Sequence, residues 1–173
     1  MTVSSYAATE RLRNGASVLI RALQPADRAE MLAAVGRLSK EALYRRFFAP
    51  KRSFSERELD FYLNVDFVNH VALAAVLSEG GHQVIVGGAR YIISEPGRAE
   101  VAFAIDDPHQ KLGIATHLMR HLIAIARSAG LTAFVAEVLP ENVPMLKIFE
   151  RCGLAMTMRS EIGVVHVTLS LSG

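Results

Sequence analysis

The chain has 173 residues, 51% of them apolar, which is enough to bury one substantial core and sets one domain as the expectation. Its net charge of +2 is too small to indicate nucleic-acid binding without a concentrated basic patch. Its single cysteine, Cys152, excludes an internal disulfide framework and points to a reducing compartment, the cytoplasm. No charged-then-apolar leader opens the sequence, and no apolar run approaches the roughly 20 residues needed to cross a bilayer, so no membrane partner is expected.

In chain order, residues 1–15 are polar and irregular and read as a flexible N-terminal arm before a single domain over 16–173. Ser17 to Arg21 reads as a strand, Asp27 to Leu38 as a helix, and Glu41 to Phe48 as a second helix ending before Pro50. The dense basic stretch Arg45, Arg46, Lys51 and Arg52 is interleaved with Tyr44, Phe47 and Phe48, the pattern of a helix with a solvated basic face and an aromatic inner face. Ser55 with Glu58 forms a capping box that opens a third short helix through Leu63. His70 to Leu77 and Val84 to Ile93 are apolar runs around the hairpin signal at residues 79–82.

After the turn at residues 95–97, the strand Arg98 to Ile105 alternates Val101, Phe103 and Ile105 with Glu100, Ala102 and Ala104, and Asp106, Asp107 and Pro108 stop it. From Gly113 the period becomes helical, with Ala115, Leu118, Leu122, Ile125 and Ala129 recurring until Gly130. A strand from Thr132 to Val138, a helix led by Asn142, and two terminal strands, Ala155 to Arg159 and Val164 to Leu171, complete the chain. The pattern predicts an α+β domain with a mixed, mostly antiparallel sheet of about seven strands and four or five helices.

Strand, turn and long helix around residue 113 carry the first chemical signal. The first N–H groups of a helix lack internal acceptors, and the macrodipole adds partial positive charge there, so an anion fits. Gly113 lets a ligand approach the backbone without meeting a Cβ, and Ala115 keeps the next inward position small. The order of elements is that of a pyrophosphate cradle, although a purely structural strand-to-helix junction has the same outline. It is neither a Walker loop, lacking Gly-Lys-Ser/Thr, nor a dinucleotide fingerprint, having one glycine where three are needed.

Residues Gln110, Lys111, Leu112, Gly113, Ile114 and Ala115 resemble the Gln/Arg-x-x-Gly-x-Gly/Ala signature of GNAT acyltransferases, which bind the pyrophosphate of acetyl-CoA. A second block, from Glu137 to Asn142 and on through Met145, Leu146, Ile148, Phe149, Arg151, Gly153 and Leu154, is similar to that superfamily's strand and Asn-led helix. Leu19 to Asp27 resembles its opening strand and helix entry, and Leu38 to Phe48 most resembles bacterial protein lysine acetyltransferases of the Pat type. The resemblance implies a GNAT-like sheet with helices on both faces and a V-shaped split between the strands at 98–105 and 132–138. It implies acetyl-CoA as cosubstrate, held by Phe103, Ala104 and Ile105, by Gln110, Lys111, Leu112, Gly113, Ile114, Ala115 and Thr116, and by Asn142. The partner is then an amine acceptor, a protein lysine or a small molecule, and a homodimer is left open. The added nucleotide-binding or ligase-like domain of some Pat-type enzymes is not expected within these residues.

Acyl transfer to an amine needs a base, because an ammonium cannot attack. Glu100 is the candidate. It lies on the strand leading into the cradle, roughly 17 Å from Ile105 at about 3.3 Å per residue, a span close to that of an extended pantetheine arm. In Pat-type enzymes the matching Ala-Glu dipeptide, here Ala99 and Glu100, carries the proposed base. The alternative is a solvated glutamate paired with Arg98 or Arg90. The tyrosine that many GNAT enzymes use to protonate the leaving thiolate is replaced by Phe149, so no general acid is expected there. Asn142 reads both as a helix N-cap and as a donor to the CoA arm. His109 reads as an exposed loop residue, or as a phosphate contact; His117 and His121, although i,i+4, read as helix surface in the absence of a third ligand, so no metal is expected. Cys152 reads as packing. A non-catalytic CoA-binding sensor, keeping the cradle without a working base, remains the alternative function.

Overall fold

The computed structural model describes residues 2–47 and 54–172. The strands among them are β1 (Ala7–Arg11), β2 (Ser17–Ala22), β3 (His70–Glu79), β4 (His82–Glu95), β5 (Arg98–Ile105), β6 (Ala133–Val138), β7 (Ala155–Glu161) and β8 (Val164–Ser170). The helices are α1 (Arg28–Gly36), α2 (Lys40–Phe47), α3 (Glu56–Leu63), α4 (Ile114–Ser128) and α5 (Val143–Arg151). The described strands form one sheet in the order β1-β2-β3-β4-β5-β6-β8-β7. Neighbours run antiparallel except β5 and β6, which α4 joins by the crossover that a parallel pair requires.

Helices cover both faces, unequally. On one face Leu118, Leu122 and Ile125 of α4, one helical turn apart, pack with Phe149 of α5 against Tyr91, Phe103, Phe134 and Val167. Each such side chain contributes about 1.5–3 kcal/mol by leaving water. On the other face Leu23, Leu63, Ala72, Ala74, Val76 and Ile85 form a smaller core beneath α1 and α3. Ala74 there, with Gly88, Ala102 and Ala104 on the neighbouring strands, cannot fill the space that bulkier residues would, and a cavity results.

The N-terminus departs from expectation. Residues 7–11, read as part of an irregular arm, pair in register with β2 from Ala7↔Arg21 to Arg11↔Ser17, and so the sheet gains an eighth strand. The anchors are polar and far apart in sequence, which is why apolar periodicity misses them. His121 Nε2 lies 2.8 Å from a Glu10 carboxylate oxygen, Arg120 lies 3.2 Å from the same carboxylate, and His121 Nδ1 bonds the Tyr6 hydroxyl. His117 Nε2 donates to Arg11 O at 3.2 Å. His117 and His121 therefore clamp β1 to α4 and are not plain helix surface. The expected helix from Asp27 stops at Gly36, two residues early, and Arg37 instead donates to Ile85 O at 2.7 Å. Phe48, Lys51 and Arg52 of the basic stretch lie outside the described residues.

Candidate active site

β5 and β6 share three rungs, Arg98↔Ala133, Ala99↔Phe134 and Glu100↔Val135, and then separate. From Val101 to Ile105, β5 pairs with β4 on one side alone, which leaves its other edge without a ladder partner among the described residues. The opening is a cleft of about 470 Å³, walled by Val101 to Ile105, by Ala136 to Val138 of β6, by the start of α4 and by α5.

The cradle is built by two left-handed residues. Asp106, 2% exposed, fixes the preceding turn by accepting from His109 Nδ1 at 2.5 Å and from Arg37 Nε at 3.4 Å. Lys111 at φ 67° and Gly113 at φ 94° then swing the chain into α4. Helical bonding begins with His117 N–H to Gly113 O at 3.1 Å, so the N–H groups of Ile114, Ala115 and Thr116 have no acceptor within the helix, and all three residues line the cleft. A Cβ at Gly113 would meet only Arg13 Nε, at 3.8 Å, so the backbone angle demands glycine here, not crowding.

Arg13 was not legible as a site residue. It stands in the turn between β1 and β2, where its N–H donates to Leu112 O at 3.2 Å and its Nη1 to Lys111 O at 3.1 Å. With Arg45, Lys111, Lys147 and Arg151 it gives the cleft a cationic rim. Arg45 Nη2 pairs with Glu41 at 2.7 Å, while its Nε is buried without a hydrogen-bond partner among the described residues.

Of the residues marked from sequence, Phe103, Ala104, Ile105, Gln110, Lys111, Gly113, Ile114, Ala115, Thr116 and Asn142 are brought together around the cleft. Leu112 instead packs against the core, and the β5 lining begins at Val101, one residue past Glu100. Asn142 does occupy the N-cap of α5, but its side chain makes no capping bond. His109 is not an exposed loop residue: it is held between Asp106 and Glu79, 3.3 Å from the latter, and lines the cleft. Phe149 is 1% exposed with its ring 6.2 Å from that of Phe103, so an apolar edge stands where a tyrosine hydroxyl would be.

Glu100 is exposed at the point where the strands part, on the face covered by α1 to α3. Glu137 shares that face, two residues beyond Val135, and lines the cleft 3.7 Å from His166 Nδ1. The sequence reading used Glu137 only as a motif boundary and overlooked it as a carboxylate at the site. On the same face Arg46 and Arg90 approach the Tyr62 ring, at 6.0 and 4.9 Å from its centroid. Burial pulls the Arg46 guanidinium below its ordinary range, against the opposing effects of Tyr62 and Glu100. Burial, and then Arg46, pull Arg90 down to about 10.

The family model described as Acetyltransferase (GNAT) family matches residues 40–154. Acetyltransferase Pat of Mycolicibacterium smegmatis is 33% identical over 157 residues, 90% of this chain and 46% of that protein. An acetyltransferase of Pseudomonas aeruginosa is 37% identical over 122 residues, 70% of this chain and 66% of that one. The crystal structure of the GNAT domain of S. lividans PAT matches with a TM-score of 0.86 at 34% identity, over 95% of this chain and 96% of that chain. The chain thus spans about half the length of the first of these curated relatives and just under two thirds of the second. By the match over most of its length and by its fold, the chain belongs to the GNAT family of acetyltransferases.

Proposed function

We propose that the chain is an acetyl-CoA-dependent N-acetyltransferase that moves an acetyl group to a primary amine by direct attack within a ternary complex. The observation that carries this reading is the parting of β5 from β6 immediately before a helix N-terminus rimmed by Arg13 and Lys111. An unpaired strand edge that runs into a cationic cradle suits a ligand made of amides at one end and phosphates at the other. The pyrophosphate lies on the N–H groups of residues 113–116, the pantetheine amides pair with β5 from Val101 to Ile105, and Asn142, whose side chain capping does not use, donates to the arm.

The thioester then arrives where Glu100 and Val135 close the split. The Glu100 carboxylate takes the amine proton as the nitrogen attacks, the C–N bond forms, the C–S bond breaks, and CoA leaves as a thiolate. With Phe149 at the tyrosine position, that thiolate takes its proton from solvent. The resemblance of residues 38–48 to Pat-type protein lysine acetyltransferases makes a protein lysine one acceptor; a small amine is the second reading, favoured by the mostly apolar cavity between the sheet and α1 that adjoins the cleft. Cys152 in its reduced form fits a cytoplasmic enzyme. Incubation with acetyl-CoA and a panel of lysine peptides, polyamines and amino acids, followed by thiol release, tests the proposal: acceptor-dependent release supports it, and binding of acetyl-CoA without release for any acceptor makes the chain a sensor.

A further inference from the structure

A second cavity, of about 110 Å³, lies between the sheet and α1 to α3. Its floor is a cross-strand row of small residues: Ala74 stands opposite Gly88 and Gly88 opposite Ala104, with Ala102 on the same face of β5. Leu23, Met31, Val35 and Ile85 wall it. The charged groups on its border are already engaged. Arg90 Nη1 donates to Tyr62 O at 3.0 Å and to His70 Nε2 at 2.9 Å, Arg46 faces the Tyr62 ring, and Asp106 accepts from His109 and Arg37. The space they leave is apolar and asks for no charge in its occupant.

The cavity opens into the cleft. The two share Leu38, Arg46, Ala102 and Ala104, so the passage between them runs over two alanine methyls, which obstruct it least, and is bordered by Leu38, just before α2, and Arg46, near its end. It lies alongside the β5 edge on which the pantetheine arm is placed above. Glu100 is exposed and lines neither space; Ala102 is two residues further along β5, roughly 7 Å at about 3.3 Å per residue. The two sides of the thioester carbonyl therefore differ: the amine reaches it from solvent past Glu100, and the tail on the carbonyl carbon turns over Ala102 into the cavity.

Resting on the acetyltransferase reading above, we infer that this cavity is a site for the acyl tail of the cosubstrate, and that the protein takes short acyl-CoA thioesters longer than acetyl, such as butyryl-CoA and isovaleryl-CoA. The space is smaller than the roughly 150 Å³ cavity that holds benzene, which suits about three or four carbons beyond the carbonyl. The transfer forms the C–N bond of an N-acyl product, breaks the thioester C–S bond, passes the amine proton to Glu100 and releases CoA as a thiolate. The tail alters recognition and leaves the bond changes as they are.

Calorimetric titration of the full chain with acetyl-CoA, butyryl-CoA, isovaleryl-CoA and octanoyl-CoA tests this, followed by transfer from each thioester to the acceptor panel. A methylene leaving water for an apolar cavity is worth about fourfold in affinity, so butyryl-CoA should bind about tenfold more tightly than acetyl-CoA, and octanoyl-CoA, too long for the space, should lose that gain. Ala74→Leu fills the floor and should abolish the butyryl gain while acetyl-CoA affinity stays as it is. Met31→Ala widens the opposite wall and should move the preference towards octanoyl-CoA; it decides the matter if Ala74→Leu does not fold. Equal affinity of the parent for acetyl-CoA and butyryl-CoA overturns the inference, as does a butyryl gain that neither variant changes. So does loss of isoamylamine acetylation in Ala74→Leu with the thioester preference unmoved, which gives the cavity to the acceptor. Failure of every thioester to bind contradicts the acetyltransferase assignment itself, whereas binding of acetyl-CoA with no gain for longer tails contradicts only the acyl site.

Discussion

Glu100 stands opposite Val135 on the last rung that β5 and β6 share, and beyond that pair the two strands separate. Glu100 therefore stands one residue short of the cleft, where the strands close, and the start of α4 lies towards its other end, an arrangement that fixes where each part of acetyl-CoA lies if it binds as proposed.

Glu100→Gln is expected to lose catalysis while keeping acetyl-CoA affinity. Gln keeps the size and can hydrogen-bond, but it cannot take the proton of the attacking amine, and loss of a general base costs about 10²–10⁴-fold. Raising the pH should partly rescue the variant, because more of the acceptor is then already neutral. Steady-state kinetics on Glu100→Gln and Glu137→Gln decide the role: if Glu137→Gln falls by the larger factor, the base is the carboxylate that lines the cleft.

Gly113→Val is expected to abolish stabilisation by acetyl-CoA. At a hundredfold excess over the dissociation constant, the ligand stabilises the parent by about 2.7 kcal/mol. The variant meets a φ of 94°, which a β-branched residue resists, and it sets a side chain where phosphate approaches. Arg13→Ala should weaken acetyl-CoA binding by about three- to tenfold, since it removes one exposed guanidinium from the rim and leaves the backbone cradle in place. Melting curves with and without acetyl-CoA report both variants.

The pH dependence of kcat/KM should show one ascending limb and no descending limb up to about pH 9. Phe149 leaves no tyrosine to supply an essential proton at the leaving thiolate. A bell-shaped profile would reveal an acid that this site does not display.

Stability should fall as the pH drops from about 6.5 to about 4, through His70. The group is buried and its folded-state pKa lies below the unfolded one, so across that window the unfolded chain binds a proton that the folded chain refuses. The contribution is on the order of 3 kcal/mol, fully present above the window and lost towards its lower end. His70→Gln keeps an acceptor for Arg90 and removes the titration, so its stability, measured by denaturant midpoint between pH 5 and 7, should vary less than the parent's.

Much of this architecture follows from local pattern. The strand of residues 98–105, the long helix after Gly113 and the hairpin at residues 80–81 are written in periodicity and turn chemistry, and the structure bears them out. The cradle was legible because its cause is local: a stopped strand, a left-handed glycine and a helix start. β1 was not, because its anchors are Glu10 with His121 and Tyr6 with His121, pairs more than a hundred residues apart. Arg13 and Glu137 were missed for the same reason, since each reaches the cleft only through sheet register. Asn142 shows the converse: its position at the start of a helix was readable, whereas the lack of a capping bond from its side chain was not.

A crystal structure of the chain with acetyl-CoA tests the central claim most directly. The account requires the pyrophosphate within hydrogen-bond distance of the N–H groups of residues 113–116, the pantetheine amides paired with β5 between Val101 and Ile105, and the thioester carbon beside Glu100 where β5 and β6 part. A ligand bound away from the split, or β5 and β6 zipped together beyond the Glu100 and Val135 rung with the ligand present, would contradict it.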